Sequence, residues 1–176
     1  ASTEDDELIA TLMQYDPDVG AAVGAFLTLS NTTMRYIAKT PEGEIDSDAI
    51  DKISQLMTQI SYPVDYAIGF SSDRLLKTRN QALRYMLLKR GSVAVEMILD
   101  DMFGVSDVRN IDTKTLEWYE KQPGFLTPVQ KIDSDEVDLN IPTFFYASHR
   151  QDPNSPYSKS MFISVINTVY ARGQIV

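Results

Sequence analysis

The chain has 176 residues, of which 16 are basic and 25 acidic, giving a formal charge of -9, and 43% are hydrophobic. That length and apolar content allow a genuine core, so disorder throughout is excluded, and one domain or a compact pair of subdomains is expected. The acidic balance disfavours nonspecific adhesion to nucleic acid or anionic membrane, and the absence of cysteine excludes disulfides and thiolate zinc sites.

The opening, Ala1-Ser2-Thr3-Glu4-Asp5-Asp6, is acidic and lacks the basic and apolar regions of a signal peptide. No run reaches the length of a membrane span. Leu8, Ile9, Leu12 and Met13 predict a short docked helix. Asp16-Pro17-Asp18 reads as a second helix start, with Asp16 as cap, Pro17 in the first turn, and Val19, Val23, Phe26 and Leu27 on one side. Gly20, Ala21, Ala22, Gly24 and Ala25 leave little bulk between them and suit a close approach. Leu27 to Ala38, rich in threonine and apolar residues, fits a strand, and Thr40-Pro41-Glu42-Gly43 fits a turn. Asp46 or Ser47 caps a helix carrying Ile50, Ile53, Leu56, Met57 and Ile60, which Ser61-Tyr62-Pro63 ends.

Ser72-Asp73 opens a long helix with Leu75, Leu76, Leu83, Met86 and Leu87 inward, and Arg74, Lys77, Arg79, Arg84, Lys89 and Arg90 make it locally basic. Gly91 breaks that period. Val93, Val95, Met97 and Leu99 then alternate with Ala94, Glu96, Ile98 and Asp100, the period of a strand. Val108 to Asp112 and Leu116 to Tyr119 are further pieces, joined by a polar connection over Thr113 to Thr115. Gln122-Pro123-Gly124 turns the chain into a strand from Phe125 to Ile132, and Asp133-Ser134-Asp135-Glu136 reads as an acidic loop. Leu139 to Tyr146 is extended, with Pro142 interrupting it. Helices lie early and short strands late, which predicts an α+β fold: helices beside a small, mainly antiparallel sheet.

Past the breaker-rich Asp152-Pro153-Asn154-Ser155-Pro156-Tyr157, Met161, Phe162, Val165, Ile166, Val169 and Tyr170 recur at helical spacing. This stripe needs a surface to cover: the domain itself, a neighbouring subunit, or further chain. The expected division is therefore a mixed α/β domain over 1–156 and the start of a stem or partner-binding helix over 157–176.

Catalytic signatures are weak. His149, the sole imidazole, stands in Ser148-His149-Arg150-Gln151-Asp152, yet closeness in sequence establishes no triad. Asp100 and Asp101 end a predicted strand, where paired carboxylates can bind a divalent cation, but adjacent side chains diverge and no third ligand is specified. Asp133-Ser134-Asp135-Glu136 and Asp46-Ser47-Asp48 do not complete a calcium loop, and Gly20-Ala21-Ala22-Val23-Gly24 lacks both phosphate-loop patterns. Arg84-Tyr85-Met86 with Lys89-Arg90 fits the solvated face of a core helix better than a nucleic-acid edge. Trp118, Tyr119, Phe144, Phe145 and Tyr146 suit packing first and an interface second. No catalytic, cofactor or metal site is assigned.

The ordered combination is more specific than its parts. Tyr15-Asp16-Pro17-Asp18-Val19-Gly20-Ala21-Ala22-Val23, the helix ending in Leu87-Leu88, and Gly91-Ser92-Val93-Ala94-Val95-Glu96-Met97 resemble the N-terminal part of tailed-bacteriophage portal proteins. So do Asn110-Ile111-Asp112-Thr113-Lys114-Thr115-Leu116, Ile141-Pro142-Thr143-Phe144-Phe145-Tyr146 and Asn154-Ser155-Pro156-Tyr157-Ser158-Lys159-Ser160, although the family often has glycine where Ser158 stands. The resemblance covers most of the chain through degenerate phrases. It implies the wing region of a non-enzymatic structural protein at the portal vertex of the virion. Its implied partners are copies of itself in a ring, capsid protein, terminase, neck proteins and the double-stranded DNA packaged and ejected through the passage, with no membrane. It also implies that the stem helices, clip and crown would follow Val176, and that Trp118, Tyr119, Phe144, Tyr146, Tyr157, Met161, Phe162, Val165, Ile166, Val169 and Tyr170 are interface candidates. Two other readings stay open: a metal-dependent hydrolase using Asp100, Asp101 and His149, and an adaptor whose terminal helix pairs with a partner helix.

Overall fold

The structure is a computed structural model and describes residues 3–32, 35–70, 75–149, 155–163 and 168. Its first layer is helical. Helix α1 (Thr3–Tyr15) and helix α2 (Pro17–Ser30) meet at Asp16, whose carboxylate accepts from the amides of Asp18 and Val19, each at 3.0 Å. Pro17 in the first helical turn has no amide to leave unsatisfied, so cap and proline together fix the start. The two helices pair closely enough that a Cβ on Gly20 would sit 3.4 Å from the Met13 carbonyl oxygen.

Among the described residues, the expected strand from Leu27 to Ala38 does not form. Residues 27–30 continue α2 instead, because Leu27 lies four positions after Val23 and extends the same stripe onto the helical core. Among the described residues of 31–45, pairing is limited to the Lys39–Ile45 bridge that closes the turn at Thr40 to Gly43. Helix α3 (Ser47–Ile60) starts as expected, its cap Asp46 accepting from the Ala49 amide at 2.9 Å, and stops before Pro63. Ile60 is its fully buried side chain. A two-residue hairpin follows, β1 (Val64–Asp65) with β2 (Gly69–Phe70).

Helix α4 (Leu76–Arg90) carries no side-chain cap at Leu75; the expected opening at Ser72-Asp73 lies outside the described residues. Leu88 is its buried residue in the helical core, beside Ile9, Met13 and Val23 and flanked by Val19, Leu27 and Phe162. Arg79 is buried too. Its guanidinium reaches Asp107 at 3.3 Å, so the basic face of α4 is partly consumed inside the molecule.

Two antiparallel three-stranded sheets form the second layer. One has the order β4 (Val105–Ile111), β3 (Ser92–Leu99), β8 (Phe144–Ser148), and the other the order β5 (Leu116–Gln122), β6 (Phe125–Ile132), β7 (Asp135–Asp138). The fold is α+β. A 3-10 turn at Thr113–Thr115 links the sheets, and Ala94, Ile111, Leu116 and Leu139 make the second core, with Phe144 and Tyr146 against it. The expected acidic loop over 133–136 is half strand: Asp133 and Ser134 make the turn, while Asp135 and Glu136 pair with Ile132 and Lys131. The ion pair of Lys131 with Glu136, at 3.3 Å, favours that register. The extended stretch from Leu139 to Tyr146 likewise divides, since Leu139 donates its amide to the Pro128 carbonyl at 2.9 Å and the strand begins only at Phe144. No helix among the described residues is long and apolar enough to cross a membrane.

Candidate interface and the strap that holds it

The junction between the layers is built around Gly91. It ends α4 with φ of 75°, a left-handed conformation that a side chain disfavours, and returns its amide to the Leu87 carbonyl at 2.8 Å. The last carbonyls of a helix lack partners within it, and here residues from far along the chain supply them. Ser160 Oγ donates to the Leu88 oxygen at 2.9 Å, the Met161 amide reaches the same oxygen at 3.3 Å, and Ser158 Oγ donates to the Arg90 oxygen at 3.3 Å. The His149 amide donates to the Gly91 oxygen at 2.7 Å. Residues 155–162 thus form a strap across the end of α4. Its backbone passes so near Gly91 that a Cβ there would stand 2.0 Å from the Lys159 carbonyl oxygen.

Aromatic side chains fasten the strap to both sheets. Trp118 on β5 and Tyr146 on β8 meet edge to face, ring centroids 5.1 Å apart and planes at 70°. The Tyr146 hydroxyl donates to the Pro156 carbonyl at 2.7 Å, and the Trp118 amide donates to the Tyr157 hydroxyl at 3.2 Å. Beneath them opens a cleft of about 130 Å³. Its walls are Trp118, Tyr146 and Tyr157, its apolar floor is Leu116, and Arg90 and Lys114 bring positive charge. Burial pulls the Arg90 pKa below its ordinary value, and the nearby Asp112 charge opposes that shift.

Of the expected interface residues, Trp118, Tyr146 and Tyr157 converge here, while Phe144 packs against the second core. Phe162 packs against the helical core of the same chain, and Met161 stays partly exposed. Tyr119 lies apart; its hydroxyl donates to Glu117 at 2.8 Å and the Lys131 ammonium stands 5.7 Å from its ring centre. Glu117 is held below the usual carboxylate range by the Lys131 hydrogen bond first and the Tyr119 hydroxyl second. Val165, Ile166, Val169 and Tyr170 lie outside the described residues.

The hydrolase constellation is not assembled. Asp100 Oδ1 accepts from the amides of Met102 and Gly104, both at 2.8 Å, and so shapes the turn between β3 and β4. His149 follows β8 beside the opposite end of β3, since Ser148 pairs with Ser92. An eight-residue strand separates those ends by about 25 Å, beyond any shared ion or proton transfer. Among the described residues, no three His, Asp or Glu side chains group to hold a metal.

Three features carry no motif in the sequence. Arg79 pairs with Asp107 across 28 positions; Arg90, Thr113 and Lys114 share one cleft; and the hairpin of β1 and β2 leaves Tyr66, Ile68 and Phe70 exposed. Only the exposed hairpin was accessible in principle, as an apolar cluster with no alternating partner. Comparison with protein-family models and with curated proteins finds no match for this chain.

Proposed function

We propose that this chain is a non-catalytic, wing-like module of a portal ring, a structural part of the passage through which a tailed bacteriophage packages and ejects DNA. The observation that carries this reading is the strap. Three hydrogen bonds to the last carbonyls of α4, the contact at Gly91 and the packing of Phe162 on the helical core anchor residues 155–162 to the end of α4. A wing joined to a stem needs an anchored connection of this kind. The exposed apolar side chains of the β1–β2 hairpin and of the turn at Met102 and Phe103 supply surface for repeated contacts between subunits or with capsid protein. The net acidic charge keeps transported DNA from adhering. Terminase and neck proteins are partners of the whole assembly in this reading.

Native mass spectrometry and electron microscopy across about micromolar to millimolar concentration test it. Cyclic oligomers and ring-shaped particles are the expected result. A folded chain that remains monomeric throughout, or that pairs only with an unrelated helical partner, overturns the ring and favours an adaptor.

A further inference from the structure

We infer that Met102 is a reversible oxidation site. A hydroperoxide converts its thioether to the sulfoxide ahead of the other described methionines, and an apolar turn becomes polar while the fold is kept. Sulfur content sets the frame. The chain has seven methionines and no cysteine, so the thioether is the sulfur group it offers to an oxidant.

Exposure ranks those thioethers, because oxidation needs access to the sulfur. Met102 is 87% exposed, against 38% for Met161 and 9% for Met13. Met57, Met86 and Met97 are half-buried on α3, α4 and β3, and Met34 lies outside the described residues.

The turn between β3 and β4 presents Met102 through hydrogen bonds that use none of its side chain. Asp100 Oδ1 accepts from the amides of Met102 and Gly104, the Asp100 amide donates to the Gly104 carbonyl at 2.8 Å, and the Phe103 amide donates to the Asp100 carbonyl at 3.0 Å. These bonds hold Phe103 at φ of 60°, an uncommon conformation for a large side chain, and leave Met102 and Phe103 in water. An oxygen added to the Met102 sulfur therefore changes the surface of the turn and none of the bonds that close it.

In the reaction a sulfur lone pair attacks one oxygen of hydrogen peroxide and the O–O bond breaks. The sulfur keeps that oxygen and the other departs as water with both protons. Sulfur is oxidised by two electrons, the peroxide is reduced by two, and a thiol-dependent reduction of the sulfoxide reverses the change. The site stands independently of ring assembly.

Hydrogen peroxide is added to the folded whole chain at about 0.1 µM, dilute enough to disfavour self-association, and tryptic peptides are followed by mass spectrometry. Cleavage after Arg90 and Arg109 leaves Met97 and Met102 in one peptide, so fragment ions compare a half-buried sulfur with an exposed one directly. Met102 is expected to react about tenfold faster than Met97, and faster than Met13 and Met161, with the rates of Met97 and Met102 converging in urea. The singly oxidised chain is expected to keep its urea midpoint and to elute earlier from a hydrophobic-interaction column. Met102→Leu is expected to abolish both the fast reaction and that shift in elution. The inference is overturned if another described methionine reacts as fast as Met102 in the folded chain, if urea leaves the ratio of Met102 to Met97 unchanged, or if oxidation at Met102 alone lowers the midpoint.

Discussion

Replacing Gly91 by alanine isolates the contact on which the seating of the strap depends. At φ of 75° an alanine costs about 1 kcal/mol from backbone strain alone. Its Cβ would also meet the Lys159 backbone, 2.0 Å from the oxygen and 2.7 Å from the carbonyl carbon, and neither atom can rotate aside. The strap must therefore shift, loosening the hydrogen bonds from Ser158, Ser160 and Met161, each worth about 1 kcal/mol, and part of the Phe162 packing. The expected loss is about 3–5 kcal/mol, a large share of a domain's stability. Gly43→Ala is the matched control, because its φ is 90° but nothing lies within 4 Å of the added Cβ, so only the strain of about 1 kcal/mol remains. Urea unfolding followed by Trp118 fluorescence measures both variants, and amide hydrogen exchange at Met161 and Phe162 shows whether the strap has lifted. Equal losses in the two variants, with unchanged protection at Met161, would refute the claim that the strap is seated on Gly91.

Arg79→Ala is expected to cost about 1–3 kcal/mol in the same unfolding assay, since it removes a buried guanidinium and its bond to Asp107, whose carboxylate keeps the Val108 amide; Arg79→Met with Asp107→Leu recovers part of the loss. Asp100→Ala removes the acceptor for two turn amides and is expected to cost about 1–2 kcal/mol, with Asp100→Asn retaining much of it and neither change affecting the fold of the helical layer. Glu117 should titrate below an ordinary glutamate in an NMR experiment, and Lys131→Gln should return it toward the usual value. Because the folded pKa lies below the unfolded one, the contribution of Glu117 is present above the unfolded value and fades as pH falls through the folded value. Its exposure to solvent keeps that contribution small.

Local chemistry was legible where one or two residues settle the backbone. Asp16 before Pro17, Asp46 before Ser47, and Gly91 after the long helix each mark a boundary within a residue, because a cap, a missing amide or a tolerated positive φ acts on its own neighbours. The same holds for β6, bounded by Gly124 and Asp133 at its two turns. The strand expected from Leu27 to Ala38 failed among the described residues for the opposite reason: threonine-rich composition favours extension weakly, and packing of Leu27 on the helical core outweighs it.

The sequence by itself determined an acidic α+β chain with helices first, strands last, and aromatic residues as candidates for a joining surface. Tertiary structure alone decided which of those residues meet. Tyr157 reaches Trp118 across 39 positions and Ser160 reaches Leu88 across 72, and the unpaired carbonyls at the end of α4 make those meetings favourable. Such partners are chosen by desolvation and geometry after the layers have packed, and no local pattern records a choice made at that range.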